Sequence, residues 1–249
     1  MTEMHDVDVE DVGSAVAAGR EVREHGPYQV QVGDHNLHYR PVVILDPVPT
    51  GNQVLEAAGL SPVGDHLLYQ VLSNGLLESI SPPETTDLRK AGIEKFLAFQ
   101  SDRSFRLFID GRAQDWGGQY ISGRTLKKLA DVDPLTHDVF LVVVGGEDEL
   151  IGDRDLFDLA RPGAEHFATL AISIQVYVNT QPKIVHTRSL SYWDVVHLEY
   201  PDAAPGPSAY YTVTYSKGPH ANPSGNLLEG QVVQVKKGMI FNVTLTDKS

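Results

Sequence analysis

Three stretches of the chain alternate apolar and polar side chains with a period near two: Tyr28-Gln29-Val30-Gln31-Val32, Phe105-Arg106-Leu107-Phe108-Ile109 and Ile172-Ser173-Ile174-Gln175-Val176-Tyr177-Val178. That period predicts half-buried strands. Gly33-Asp34, Asp110-Gly111 and Asn179-Thr180 follow them, turn residues that predict a hairpin to a second strand. Next comes a hydroxyl residue ahead of a helical pattern. Thr50 with Gln53 and Ser191 with Asp194 have capping-box spacing, and Ser122 can cap alone. Behind these caps, Val54/Ala57/Ala58, Leu126/Leu129/Ala130 and Val195/Val196/Leu198 give each short helix one apolar stripe, and Gly59 is placed to end the first helix in a left-handed cap. Strands are expected again over His66 to Leu72, Val139 to Val144 and Tyr210 to Tyr215, with a last strand past Gly92, Gly163 and Gly238.

The pattern is a repeat. Thr50-Gly51 with Pro62 matches Ser122-Gly123 with Pro134 at an offset of 72, and Asp87, Leu88, Gly92, Glu94 and Phe96 match Asp158, Leu159, Gly163, Glu165 and Phe167 at an offset of 71. Both ends of a unit of ~70 residues are thus preserved, and the last 79 residues read as a third, more divergent copy. Strand, strand, helix, strand, strand describes a small mixed sheet wrapped over one helix. Units this small bury little surface alone, so the copies are expected to pack on each other or on another molecule. The expected boundaries are 27–102, 103–170 and 171–249, after an acidic N-terminal tail over 1–26 that is disordered or holds a short helix near Ser14 to Glu24. The tail has no aromatic residue and only scattered valines, too little to offset the entropy of ordering it.

Composition narrows the function classes. The 249 residues carry 20 Lys+Arg against 33 Asp+Glu, a formal charge of −13, which argues against a nucleic-acid partner. The net charge is −5 over 1–26, −5 over 27–102, −4 over 103–170 and +1 over 171–249. Cysteine is absent, which excludes disulfides, thiol nucleophiles and thiolate metal sites. No apolar run approaches the ~20 residues of a membrane helix, and the acidic start MTEMHDVDVEDV is unlike a secretory signal, so a soluble cytoplasmic protein is expected. There is no HExxH, GxSxG, phosphate loop or dinucleotide glycine pattern, and His35 with His38 lacks a third ligand nearby, so no enzyme is expected. Trp116 and Trp193 read as aromatic anchors or interface residues, and Lys127-Lys128 and Lys236-Lys237 as solvated faces.

With FRLFIDGR, ISGRTLKKLADVDP and GGEDELIGDRDLFDLARPGAEHF in the second copy, and YYTVTYSKGP and NPSGNLLEGQVVQVKKGMIFNVT in the third, the chain resembles the bacterial multi-ubiquitin family of tandem ubiquitin-like β-grasp proteins. The resemblance implies an α+β protein of three β-grasp domains. It further implies a protein modifier of an operon related to antiphage defence, with activating, conjugating and peptidase enzymes as partners. Ubiquitin-type conjugation uses a slim C-terminus ending in glycine. Here the last glycine is Gly238, and Ile240-Phe241-Asn242-Val243-Thr244 reads as strand. Either a peptidase trims the tail near Asn242, making Asn242, Val243, Thr244 and the terminal Ser249 the processing region, or these residues finish the last strand.

Six carboxylates, Glu147, Asp148, Glu149, Asp153, Asp155 and Asp158, crowd around one base, Arg154. Such crowding suits a hard divalent cation with six to eight oxygen ligands, although the spacing is not that of an EF-hand. A solvated acidic loop is the alternative. The resemblance implies Ca²⁺-dependent self-assembly into dimers or filaments, with Asp153 and Asp155 as leading ligands. A monomeric covalent tag without metal and a non-conjugating adaptor docking partners on sheet edges are the competing readings.

Overall fold

The computed structural model describes residues 8–90, 92–163, 165–206 and 209–247. The chain divides into two compact units, one of residues up to 132 with 139–169, the other of 133–138 with 170 onward. The first unit holds two copies of the repeat and the second holds the third.

In the first copy β1 (Glu10–Asp11) and α1 (Val12–Ala17) precede β2 (Tyr28–Gly33), β3 (Tyr39–Ile44), α2 (Gly51–Ala57), β4 (His66–Val71), β5 (Leu77–Ile80) and β6 (Lys95–Gln100). The second copy comprises β7 (Phe105–Ile109), β8 (Arg112–Trp116), β9 (Tyr120–Ser122), α3 (Gly123–Leu129), β10 (His137–Leu141), β11 (Glu149–Ile151), β12 (Leu156–Asp158) and β13 (His166–Ala171). The third comprises β14 (Ile174–Val178), β15 (Gln181–Val185), β16 (Ser189–Ser191), α4 (Tyr192–Glu199), β17 (Ala209–Ser216), β18 (Gly225–Leu227), β19 (Val232–Gln234) and β20 (Ile240–Asp247).

The sheets run β3-β2-β6-β4-β5, β8-β7-β13-β10-β11 and β15-β14-β20-β17-β18. Each copy therefore has the same order, with its last long strand in the centre, parallel to its first. The hairpin turns close on left-handed residues, Asp110-Gly111 at φ 51° and 77° and Asn179-Thr180 at 47° and 72°. Two small ladders, β9 with β12 and β16 with β19, were not legible in the alternation, because three-residue strands show too little of a period.

The Thr50-Gly51 and Ser122-Gly123 pairs have one local cause. The hydroxyls cap the helices by accepting from Gln53 N and Thr125 N, and a Cβ on the following glycine would lie 2.7 Å from Ser81 O or 2.4 Å from Gly152 O. Each helix thus begins pressed against the loop that crosses it. In the third copy Ser191 and Asp194 form the full capping box, and Tyr192 takes the glycine's place, donating its hydroxyl proton to Tyr211 O. Helix α2 stops at Gly59, φ 69°, with Leu60 N donating to Leu55 O and Gly59 N to Glu56 O, the bonding of a Schellman motif. Val54, Leu55 and Ala58 are its buried face, whereas Ala57, assigned to that stripe from spacing, is exposed.

The N-terminal segment departs from the expected tail. Glu10 and Asp11 pair in parallel with Tyr28 and Gln29 on the side of β2 that β6 occupies further along. Val12 and Ala15 are fully buried in the first copy's core. The Glu10 carboxylate, 1% exposed, meets Arg20 at 2.5 Å and Arg23 at 2.9 Å. Val12, Ala15 and Val22 suffice because they complete an existing core instead of building one, and Arg20 and Arg23 offset the charge of the carboxylate drawn in with them, although its Oε2 has no hydrogen bond among the described residues.

The first two copies also share apolar packing. Tyr69, Leu77, Leu97 and Phe99 of the first join Leu107, Trp116, Leu126 and Phe167 of the second in one buried cluster. Phe99 lies edge-on to Trp116, ring centroids 4.7 Å apart. At Gly117 a Cβ would stand 2.7 Å from the Phe99 ring, so only glycine lets the two copies approach this closely. Trp116, fully buried, is the interface anchor. The third copy has its own core around Val176, Val195, Val196, Met239 and Phe241.

Candidate functional site

The six carboxylates lie along one segment but do not converge. Helix α3 sets the geometry, since its first turn rests on residues 151–153. Arg124 N donates to Asp153 O at 3.2 Å, the Arg124 guanidinium reaches Asp153 Oδ2 at 3.4 Å, and Lys127 Nζ meets Asp153 Oδ1 at 2.5 Å. Asp155 Oδ2 accepts from Gly152 N at 2.9 Å, closing its own turn. Asp158 Oδ1 accepts from Gln119 Nε2 and from Ala160 N, Asp148 Oδ1 from Val143 N, and Glu149 pairs with Arg161 at 2.7 Å. The exposed Glu147 side chain makes no such contact.

Each of the other five is thus turned toward its own donor. A calcium ion needs six to eight oxygens at about 2.3–2.6 Å from one point. Among the described residues no group of three or more His, Asp or Glu side chains is gathered in that way, so the carboxylates of one chain do not fit a calcium cage by themselves.

Lys127 corrects the reading of Lys127-Lys128 as a solvated face. Its side chain is 5% exposed and its charge is matched by Asp153, because the last turn of so short a helix still faces the segment that crosses its start. Lys128 remains on the surface, its Nζ 3.5 Å from Asn36 O.

The C-terminal candidates lie within a strand. Asn242, Val243 and Thr244 stand opposite Thr214, Val213 and Thr212 in an eight-pair antiparallel ladder between β20 and β17. On the other side the parallel ladder with β14 ends at Val178 and Phe241. The Asn179 amide then adds a further rung, its Oδ1 accepting from Val243 N and its Nδ2 donating to Val243 O, both at 2.9 Å. Asn179 went unnoticed in the sequence except as a turn residue, although asparagine's pairing of donor and acceptor was the available signal. Ser249 lies outside the described residues.

A groove of about 360 Å³ opens within the first unit, with Tyr39, Leu77, Leu97, Glu94, Lys128 and Asp131 among its lining. Burial pushes the Tyr39 phenol up to about 12, so it stays a neutral hydroxyl at physiological pH. Nothing in this lining pairs a Ser, Thr or Cys nucleophile with a histidine base. No helix among the described residues is long and apolar enough to cross a membrane.

No curated protein matches the chain. The family model described as Multiubiquitin matches it three times, over residues 37–101, 105–171 and 174–247, the first match beginning after β2 and the other two spanning the second and third sheets. The chain therefore belongs to the multiubiquitin family, bacterial ubiquitin-like modifiers that are not enzymes, and is built of three tandem β-grasp repeats.

Proposed function

We propose that the chain is a cytoplasmic protein modifier handled at its C-terminal end by activating, conjugating and peptidase enzymes. One observation carries the reading: β20, paired on both sides, delivers the chain past Asp247 from the middle of the third sheet. The reading places the acyl donor beyond Asp247. Cutting at Asn242 would strip five residues from the ladder and expose the Val213 face that Val243 covers. Incubation of the full chain with ATP and the activating enzyme encoded beside it should give a covalent adduct. Mass spectrometry of the processed protein should find every residue through Asp247, and a mature terminus at Asn242 would overturn this placement.

Self-association through calcium is a second reading, favoured by the unpartnered Glu147 at an exposed loop of a −13 chain. Since one copy's carboxylates do not converge, two chains would have to supply the ligands. Light scattering in Ca²⁺ and in EGTA tests it: larger particles in Ca²⁺ are expected, and equal sizes remove calcium from the account.

A further inference from the structure

The third copy, the one segment of the chain with a positive formal charge, carries an open groove of about 680 Å³ lined by Tyr177, Lys217, His220, Pro223, Lys236 and Lys237, with Gly218 and Gly238 at its floor. No Asp or Glu lines it. Lys217, His220, Lys236 and Lys237 are exposed, and their side chains have no ion pair or hydrogen bond among the described residues. Three of the chain's nine lysines are therefore gathered, unneutralised, in one concavity.

The backbone beneath them is fixed. Gly218 N donates to Pro223 O at 2.9 Å and Asn222 N to Pro219 O at 2.9 Å, closing the 217–223 loop, while Gly238 N donates to Gln175 O at 2.8 Å and Met239 N to Lys236 O at 3.2 Å. Lys217 holds φ 56°, a left-handed conformation that glycine or asparagine adopts at lower cost. A lysine there puts local backbone strain where a cation is presented, a combination that points toward binding. Cations gathered in one concavity concentrate the field on an incoming carboxylate.

A matching shape lies in the second copy. Between β10 and β11 the chain leaves the sheet as Val142-Val143-Val144-Gly145-Gly146-Glu147-Asp148, with Val144 99% exposed and the free Glu147 carboxylate three residues on. An apolar tip followed by acids complements a groove whose Tyr177 and Pro223 stand beside the lysines. We propose that this groove docks the acidic 142–149 loop of a second copy of the chain. Loop and groove are different surfaces, so the contact is heterologous. The proposal rests on the reading that copies of this chain associate, and it does not need calcium.

Two measurements in EGTA test it on the full chain. Fluorescence anisotropy of a labelled peptide of residues 142–151 should show binding that weakens at least tenfold between 50 and 500 mM NaCl. It should fall at least tenfold in Lys217→Glu/Lys236→Glu/Lys237→Glu, whose circular dichroism is expected to match the wild type because all three side chains are exposed. Sedimentation velocity should show the wild type associating, that variant and Glu147→Lys/Asp148→Lys each monomeric, and a mixture of the two associating again through swapped charges. Peptide binding that is indifferent to the triple substitution, or wild-type association unchanged by either charge reversal, overturns the groove assignment and leaves self-association standing. A wild type that stays monomeric overturns the contact between copies, and self-association with it, even if the free peptide binds the groove.

Discussion

Asp153 shows how a residue changes meaning once its neighbours are known. It reads as a metal ligand among acids, yet it neutralises a buried lysine from the helix before it. A buried ion pair tolerates joint removal better than the loss of one partner. The joint variant Lys127→Met/Asp153→Leu should therefore change stability by about 1 kcal/mol or less, whereas Asp153→Ala alone, which removes the carboxylate facing the buried ammonium, should cost about 2–4 kcal/mol, read from urea denaturation midpoints. Loss of calcium response in Asp153→Ala would thus report unfolding as readily as ligand loss, and Glu147→Gln is the cleaner probe. Asp87 and Arg89 supply a pH test: the bidentate hydrogen bonds from Arg89 hold the Asp87 carboxyl below its usual range. A group with a depressed folded pKa adds stability above its unfolded value, near ~3.9, and loses it as pH falls through the folded value. Wild-type stability should drop more than that of Asp87→Asn between pH 5 and the acid limit, and parallel curves would remove the pair's contribution. The carboxylates could be counted in the sequence. Their partners could not, because Lys127 and Arg161 become neighbours only through the turns between them.

Elements with a full period were legible. The first strands, the hairpin turns and all three capped helices lie within a few residues of where alternation and capping residues put them. The β10 strand ends at Leu141, three residues short of expectation, since Val142–Val144 continue the apolar run but not the ladder. The N-terminal segment was misread for a different reason. A short helix is expected near Ser14 to Glu24 and stands at Val12–Ala17, but the two-residue strand has no period to see, and the burial of the segment depends on a core assembled by residues 28–96. Val12→Asp should accordingly destabilise the first unit by about 3 kcal/mol or more, through an unpaired charge in a core. Thr50→Ala should cost about 1 kcal/mol through its lost cap. Equal denaturation midpoints for Val12→Asp and the wild type would return the segment to the status of a tail.

Across the whole molecule, three sequence repeats become two folding units. Trp116 was legible as an anchor, but its contact with Phe99 was not, because the repeat pattern describes each copy and says nothing of the surface between copies. Trp116→Ala should cost about 3–5 kcal/mol and lower the melting of one calorimetric transition, that of the first unit, leaving the other in place. Three transitions in the wild type would mean that the shared cluster does not couple the first two copies.

The double-sided hold on β20 also bears on how the molecule yields to force. A motor that draws the protein in by the residues after Asp247 would have to slide the central strand of the third sheet past two hydrogen-bonded neighbours and the Asn179 clamp at once. Resistance of that kind is governed by the unfolding barrier. Pulling from that end therefore loads both neighbours of β20 and the Asn179 clamp together.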